Sequence, residues 1–176
     1  MKPLKLIPEL IPEPLWGVSA NKLMRPISWK RISDREKSAA GFRCAICRAG
    51  GIVAPPETYR DKRLYCHEVW QYDEGKAIAT VIELRVLCAG CNAVTHLGRT
   101  RLAGEQYFLQ ALEHLVRVNG ITLTELKITV ERAFTDWKRR SAIIWREIAV
   151  SPPLLKKYPE LERLTIWGPH RQTRNP

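Results

Sequence analysis

The chain predicts an α+β fold: a small zinc-stapled hairpin-and-helix module, flanked by an N-terminal arm with a helix and by two C-terminal α-helices. Three observations carry this. Two Cys-x-x-Cys pairs, Cys44/Cys47 and Cys88/Cys91, have the spacing of zinc knuckles. Between them lie two runs rich in β-branched and aromatic residues, parted by Asp73-Glu74-Gly75, which is the pattern of a hairpin. After them come two helix-periodic stretches separated by Asn119-Gly120, with Thr122 and Glu125 spaced as a capping box.

Taken in order, residues 1–40 read as a Pro-rich arm followed by a basic helix. Pro8, Pro12 and Pro14 keep the arm extended, and its Leu-Ile-Pro echo suits a strand-like wrap over a partner surface. The helix spans 27–40 and stops at Gly41. Residues 41–100 form the zinc module: first knuckle, an irregular loop over 48–63, strands at 64–70 and 77–87, the second knuckle, and a helix from about Asn92. Residues 101–151 read as a helical hairpin, with helices over 101–118 and from 122 to about 149. Leu126, Val130, Phe134, Trp137, Trp145 and Ile148 mark the core stripe of the second helix. Residues 152–176 read as a basic tail containing Lys156, Lys157, Arg163, Arg171 and Arg174.

The chain has 176 residues, enough for one ordinary core, and its 45% apolar content excludes a disordered protein. Twenty-nine basic against 18 acidic residues give a net charge of +11. That excess points to a nucleic-acid partner, because clustered Lys and Arg bind mainly by neutralising phosphates and releasing counterions. Four of the five cysteines pair into knuckles and leave Cys66 over, which argues for metal-held thiolates in a reducing cytoplasm rather than disulfides. No run approaches the ~18 apolar residues of a membrane span, and Pro8, Glu9, Pro12, Glu13 and Pro14 interrupt the apolar start, so neither a membrane segment nor a signal peptide is expected.

The remaining chemistry-bearing residues cluster around the knuckles. Asn92 and His96 are spaced i, i+4 on the expected helix and share a face. His67 lies in the middle of the first strand. The second knuckle pins the start of the helix beside the base of the hairpin, so all three can meet.

In order and spacing, Cys44-x-x-Cys47, the run from Cys66-His67-Glu68 to Asp73, and Leu87-Cys88-x-x-Cys91-Asn92-x-x-x-His96-x-Gly98 resemble the zinc-containing HNH endonucleases. The start from Leu6-Ile7-Pro8 to Trp16-Gly17 and the stretch from Val118-Asn119-Gly120 to Arg140-Ser141 resemble an uncharacterised bacterial and phage HNH-like subgroup. The resemblance implies a ββα-metal module and metal-assisted hydrolysis of DNA phosphodiester bonds, in a protein from a mobile element or defence locus. His67 would be the general base, and Asn92 and His96 the ligands of a catalytic Mg²⁺ or another divalent ion. Cys44, Cys47, Cys88 and Cys91 would hold the structural Zn²⁺. Arg99 and Arg101, with Lys30 and Arg31 of the basic helix, would hold flanking nucleic acid, DNA rather than RNA.

The chain departs from that pattern at Cys66, where many members carry Asp or His before the base. Glu68 is no substitute, because strand alternation turns residues 67 and 68 to opposite faces. Asp73 is six residues from His67, up to roughly 20 Å in extended chain. The alternative is therefore a zinc-bound nucleic-acid-binding subunit that no longer cleaves and works within a larger nucleoprotein complex. A protein-interaction module is a third reading, and the charge of +11 speaks against it.

Overall fold

A computed structural model describes residues 3–50 and 63–167. Most of the expected 48–63 loop, and Arg171 and Arg174, lie outside the described residues. The element order is α1 (Ala20–Leu23), α2 (Pro26–Ala39), β1 (Leu64–Asp73), β2 (Ile78–Cys88), α3 (Ala89–Thr95), α4 (Leu97–Ala103), α5 (Glu105–Asn119), α6 (Leu123–Ser141), β3 (Glu147–Val150), α7 (Pro152–Lys157) and β4 (Ile166–Trp167). The architecture is mixed α+β, and a hairpin followed directly by a helix lies at its centre.

β1 and β2 form the expected antiparallel hairpin, with His67 opposite Arg85. A register shift between Val69 and Trp70 leaves Ile82 as one extra residue in β2. That bulge lets Ala79 and Val81, and then Leu84 and Val86, turn to the same side as Cys66, Glu68, Trp70 and Tyr72. This face carries most of the core: Val81 and Leu84 pack with Ile32 of α2 and with Leu154, Tyr158, Leu161 and Leu164. His67 points to the opposite face. There Leu87 packs with Val94, Leu97, Ala111 and Leu115 around the buried thiols of Cys44 and Cys91.

Three expectations are corrected. The helix expected over 101–118 is broken, because Gly104 adopts φ 136° between α4 and α5, a conformation that favours glycine. The helix expected to reach about 149 ends at Ser141. Residues Glu147–Val150 instead add a parallel strand beside β2, burying Ile148 and Val150 by alternation. Trp145 and Ile148 therefore belong to a separate cluster with Leu15 and Ala79, not to a helical stripe. Finally, the stretch after 152 is no tail as far as residue 164: Leu154, Tyr158, Leu161 and Leu164 are all buried. Their spacing of four, three and three residues is the helical period of α7 and the 3₁₀ turn at Pro159–Leu164.

The capping box is present as expected: Thr122 Oγ1 accepts the Glu125 amide, and the Glu125 carboxylate accepts the Thr122 amide. The arm does wrap. Leu6, Pro8, Pro12 and Leu15 are buried, and the side-chain amide of Asn119 holds both backbone groups of Leu6.

Candidate metal centre and histidine cleft

The first knuckle is a tight loop in which the Cys44 amide donates to the Ala49 carbonyl and the Ala45 amide to the Val86 carbonyl, tying it to the end of the hairpin. The second knuckle opens α3, with Cys88 as its N-cap. One sulfur from each of Cys44, Cys47, Cys88 and Cys91 lies within 4.8 Å of the other three, and Cys47 Sγ is 3.5 Å from Cys88 Sγ. Tetrahedral zinc with Zn–S bonds of about 2.3 Å would set its sulfurs about 3.8 Å apart, so this donor set fits. The protons argue the same way. Thiol donors from Cys88 and Cys91 hold Cys44 far below the usual thiol range, and its proximity in turn holds Cys88 up at about 11 and Cys91 higher still. Four thiolates this close are stable together only when a bound cation neutralises them, their protons going to solvent. The cluster can hold a metal ion such as zinc.

A histidine not singled out from the sequence completes the surroundings of this cluster. Arg117 Nη2 lies 2.8 Å from His114 Nδ1, and His114 Nε2 lies 3.3 Å from Cys91 Sγ. A guanidinium only donates, so Nδ1 accepts and the neutral ring carries its proton on Nε2, aimed at the Cys91 sulfur. Burial, and then the neighbouring Arg117, hold His114 below its ordinary pKa and favour that neutral form. The ring lies over Gly90, where an added Cβ would come within 2.8 Å of it.

On the other side of α3 the expected histidines meet. His67 Nδ1 is 3.1 Å from His96 Nε2, with the rings edge to face at 75°. His96 sits at the junction of α3 and α4 and keeps the i, i+4 relation to Asn92 through a 3.0 Å backbone bond. Burial first, then His67 and Arg99, push His96 down to about 4, so its ring is neutral at physiological pH.

The carboxylate that the sequence lacked before His67 comes from the arm. Glu9 Oε2 is 3.3 Å from His67 Nε2, and its Oε1 is 3.6 Å from the Arg85 guanidinium. The Glu9 amide donates to the Thr95 carbonyl at 2.9 Å, so the arm is fixed one residue before His96. Cys66 faces the other way, and burial pushes its thiol up to about 12. Glu68 shares that face; its carboxylate accepts the Ala20 amide at 2.6 Å, and burial raises its pKa.

His67, Asn92 and His96 line a cleft of about 1280 Å³ running along β1 and over α3 to α5. Lys37, Arg63, Arg99 and Arg117 line it too, and Glu68 is the one carboxylate among its described lining residues. Of the four cations expected at a nucleic acid, only Arg99 is here. The cleft face of α2 is Trp29, Ser33 and Lys37, whereas Lys30 pairs with Asp34 and Arg31 is exposed elsewhere on the helix. Arg101 stacks over Phe108 at 5.7 Å. Asn92 and His96 do not assemble an oxygen cage: among the described residues no carboxylate joins the His67–His96 pair as a third donor to one point. That arrangement does not fit Mg²⁺, a hard ion bound through carboxylate and water oxygens, and suits metals that accept imidazole better. No described helix is long and apolar enough to cross a membrane. No family model, curated protein or solved structure matches the chain, so the reading of the site rests on its own geometry.

Proposed function

We propose that the chain is an HNH-like metal-dependent endonuclease that hydrolyses DNA phosphodiester bonds, on a ββα module stapled by Zn²⁺ at Cys44, Cys47, Cys88 and Cys91. The observation that carries this is the His67–His96 contact of 3.1 Å, held between a hairpin strand and the helix that starts at the second knuckle. Burial keeps the His96 ring neutral at physiological pH, so the pair presents an imidazole able to accept a proton. The cations Lys37, Arg63, Arg99 and Arg117 around that cleft suit a phosphodiester backbone. A divalent ion would polarise the phosphate, with Asn92 rather than His96 as its protein donor, because the one free lone pair of His96 is kept for a proton.

The experiment is plasmid nicking with Mg²⁺, Mn²⁺, Ni²⁺ or Zn²⁺, comparing the wild type with His67→Ala and His96→Ala. Cleavage that falls at least about 100-fold in both variants supports the reading. Cleavage unaffected by either substitution sinks it.

One observation favours the second reading, a nucleic-acid-binding subunit that does not cleave. Both ring nitrogens of His67 are already engaged by protein groups, and the side chain is 4% exposed. Under that reading no metal supports nicking, and affinity for labelled DNA still falls steeply with salt.

A further inference from the structure

We infer that Glu9, His67 and His96 form one ordered hydrogen-bond relay, in which His96 Nδ1 is the ring nitrogen presented to the cleft and His67 and Glu9 are positioning residues. The relay deepens the nuclease reading, since it names which nitrogen of the pair would meet an attacking water.

The proton positions follow from the chemistry of the partners. A carboxylate has only acceptors, so the 3.3 Å contact between Glu9 Oε2 and His67 Nε2 requires the proton on Nε2. A neutral imidazole carries one N–H, so His67 Nδ1 is then an acceptor. Its 3.1 Å neighbour, His96 Nε2, must carry the proton of the second ring. By the same count, His96 Nδ1 holds a lone pair. No hydrogen bond of the described residues engages that atom, and His96 lines the cleft beside Asn92 and Arg99. His67, by contrast, is 5% exposed with both nitrogens committed. A buried imidazole with no free lone pair cannot take a proton from water unless one partner lets go.

The frame holding the relay is built from the hairpin and the arm. Arg85 faces His67 across the hairpin and pairs with the second oxygen of Glu9, which fixes the carboxylate plane. The Glu9 amide is bonded to Thr95, so a single arm residue grips both the strand histidine and the backbone beside the helix histidine. In the reaction, the water proton would pass to His96 Nδ1 as the new O–P bond forms and the bond to the leaving nucleotide oxygen breaks. The leaving oxygen then takes a proton from bulk water, and His96 Nδ1 returns its proton to the solvent, which restores the neutral pair. The positive charge on His96 is stabilised through His67 by the Glu9 carboxylate.

The test reads ring tautomers directly, by long-range ¹H–¹⁵N correlation of the zinc-loaded full chain, with nicking rates measured alongside. In the wild type, both His67 and His96 are expected to be protonated on Nε2 and bare on Nδ1. Glu9→Ala should mix the His67 tautomers and lower any nicking kcat by about 10- to 100-fold with little change in KM. Glu9→Gln keeps an acceptor oxygen, so it should restore the tautomer and part of the rate. Zinc content and melting curves of both variants check that the fold is kept; the arm remains anchored by Leu6 and Asn119. A wild-type spectrum with His67 protonated on Nδ1, or unchanged tautomers in Glu9→Ala, overturns the relay. Absence of wild-type nicking alongside the expected tautomers would remove the endonuclease reading alone.

Discussion

The side-chain amide of Asn119 bonds to both backbone groups of Leu6, accepting its N–H at 3.1 Å and donating to its carbonyl at 2.7 Å, as a neighbouring strand would. The same oxygen also takes the Lys5 amide at 2.9 Å. Asn119 is the last residue of α5, and Gly120 after it adopts the left-handed conformation that ends the helix. A helix terminus thereby grips the arm that brings Glu9 to His67.

Asn119→Ala removes these bonds and leaves the Leu6 backbone groups without their partner. At about 1 kcal/mol net for each bond lost, the expected cost is about 2–3 kcal/mol in urea unfolding. The arm should also become a site of limited proteolysis near Leu6. Wild-type resistance in the variant would show that burial of Leu6 and Leu15 alone holds the arm.

Thiol reactivity should divide the cysteines four to one. With zinc bound, Cys44, Cys47, Cys88 and Cys91 are expected to resist Ellman's reagent, and a strong chelator should release all four. Cys66 lies on the opposite face of the hairpin, half-buried with its thiol pushed up to about 12, so it should react more slowly than a free thiol. Metal analysis should give one zinc per chain, and Cys44→Ser should lose both the metal and cooperative unfolding. Reaction of Cys44, Cys47, Cys88 or Cys91 before chelation would contradict this assignment.

Gly90→Ala tests the histidine over the second knuckle. The new methyl would lie 2.8 Å from the His114 ring, so the ring must swing away and its proton leaves the Cys91 sulfur. Zinc affinity should fall about 10-fold, measured by competition with a chromophoric chelator. His114→Phe should reproduce the loss of affinity without the steric conflict. Unchanged affinity in both variants would show that the imidazole merely fills space.

Acid should selectively weaken the clasp between the hairpin turn and the end of α6. Arg139 first, and Arg140 with it, hold Glu74 down at about 2. A carboxylate whose folded pKa lies below its ordinary 4.5 adds stability above that value and loses it as pH falls towards 2. Glu74→Gln should therefore be slightly less stable than the wild type at pH 7, the effect being limited by solvent screening. The gap should narrow from about pH 4.5 downwards. A gap independent of pH would assign the loss to packing instead of charge.

The parts of this molecule legible in the sequence were those set by local chemistry. The knuckle spacing dictates a thiol cluster wherever the hairpin folds back, and Thr122 with Glu125 cap a helix within a single turn. The turn at Asp73-Glu74-Gly75 fixed the hairpin, and alternation along β1 already set His67 apart from Glu68. What stayed hidden depends on distant partners. An extended arm has no periodicity to say that Glu9 lands on His67. The residues 147–150 carry an apolar spacing that fits a helix as well as a strand, and β2 decides the matter. Leu154, Tyr158, Leu161 and Leu164 did show a helical period, masked by the lysines between them. His114 gave no signal, because its partner Cys91 is 23 residues away and is reached only through the packing of α5 on α3.

The clasp between Leu6 and Asn119 also sets an order in time. The two residues are 113 apart, so at ribosomal rates of 5–20 residues per second the arm exists for roughly 6–20 s before its anchor has been made. Only the last 24 residues of that interval follow Thr95, so the hairpin and α3 are complete for about 1–5 s before Asn119 is made, and until then Glu9 depends on its own bond to the Thr95 carbonyl. The histidine pair and the thiol cluster thus have all their residues before the clasp that finishes the arm has its second half.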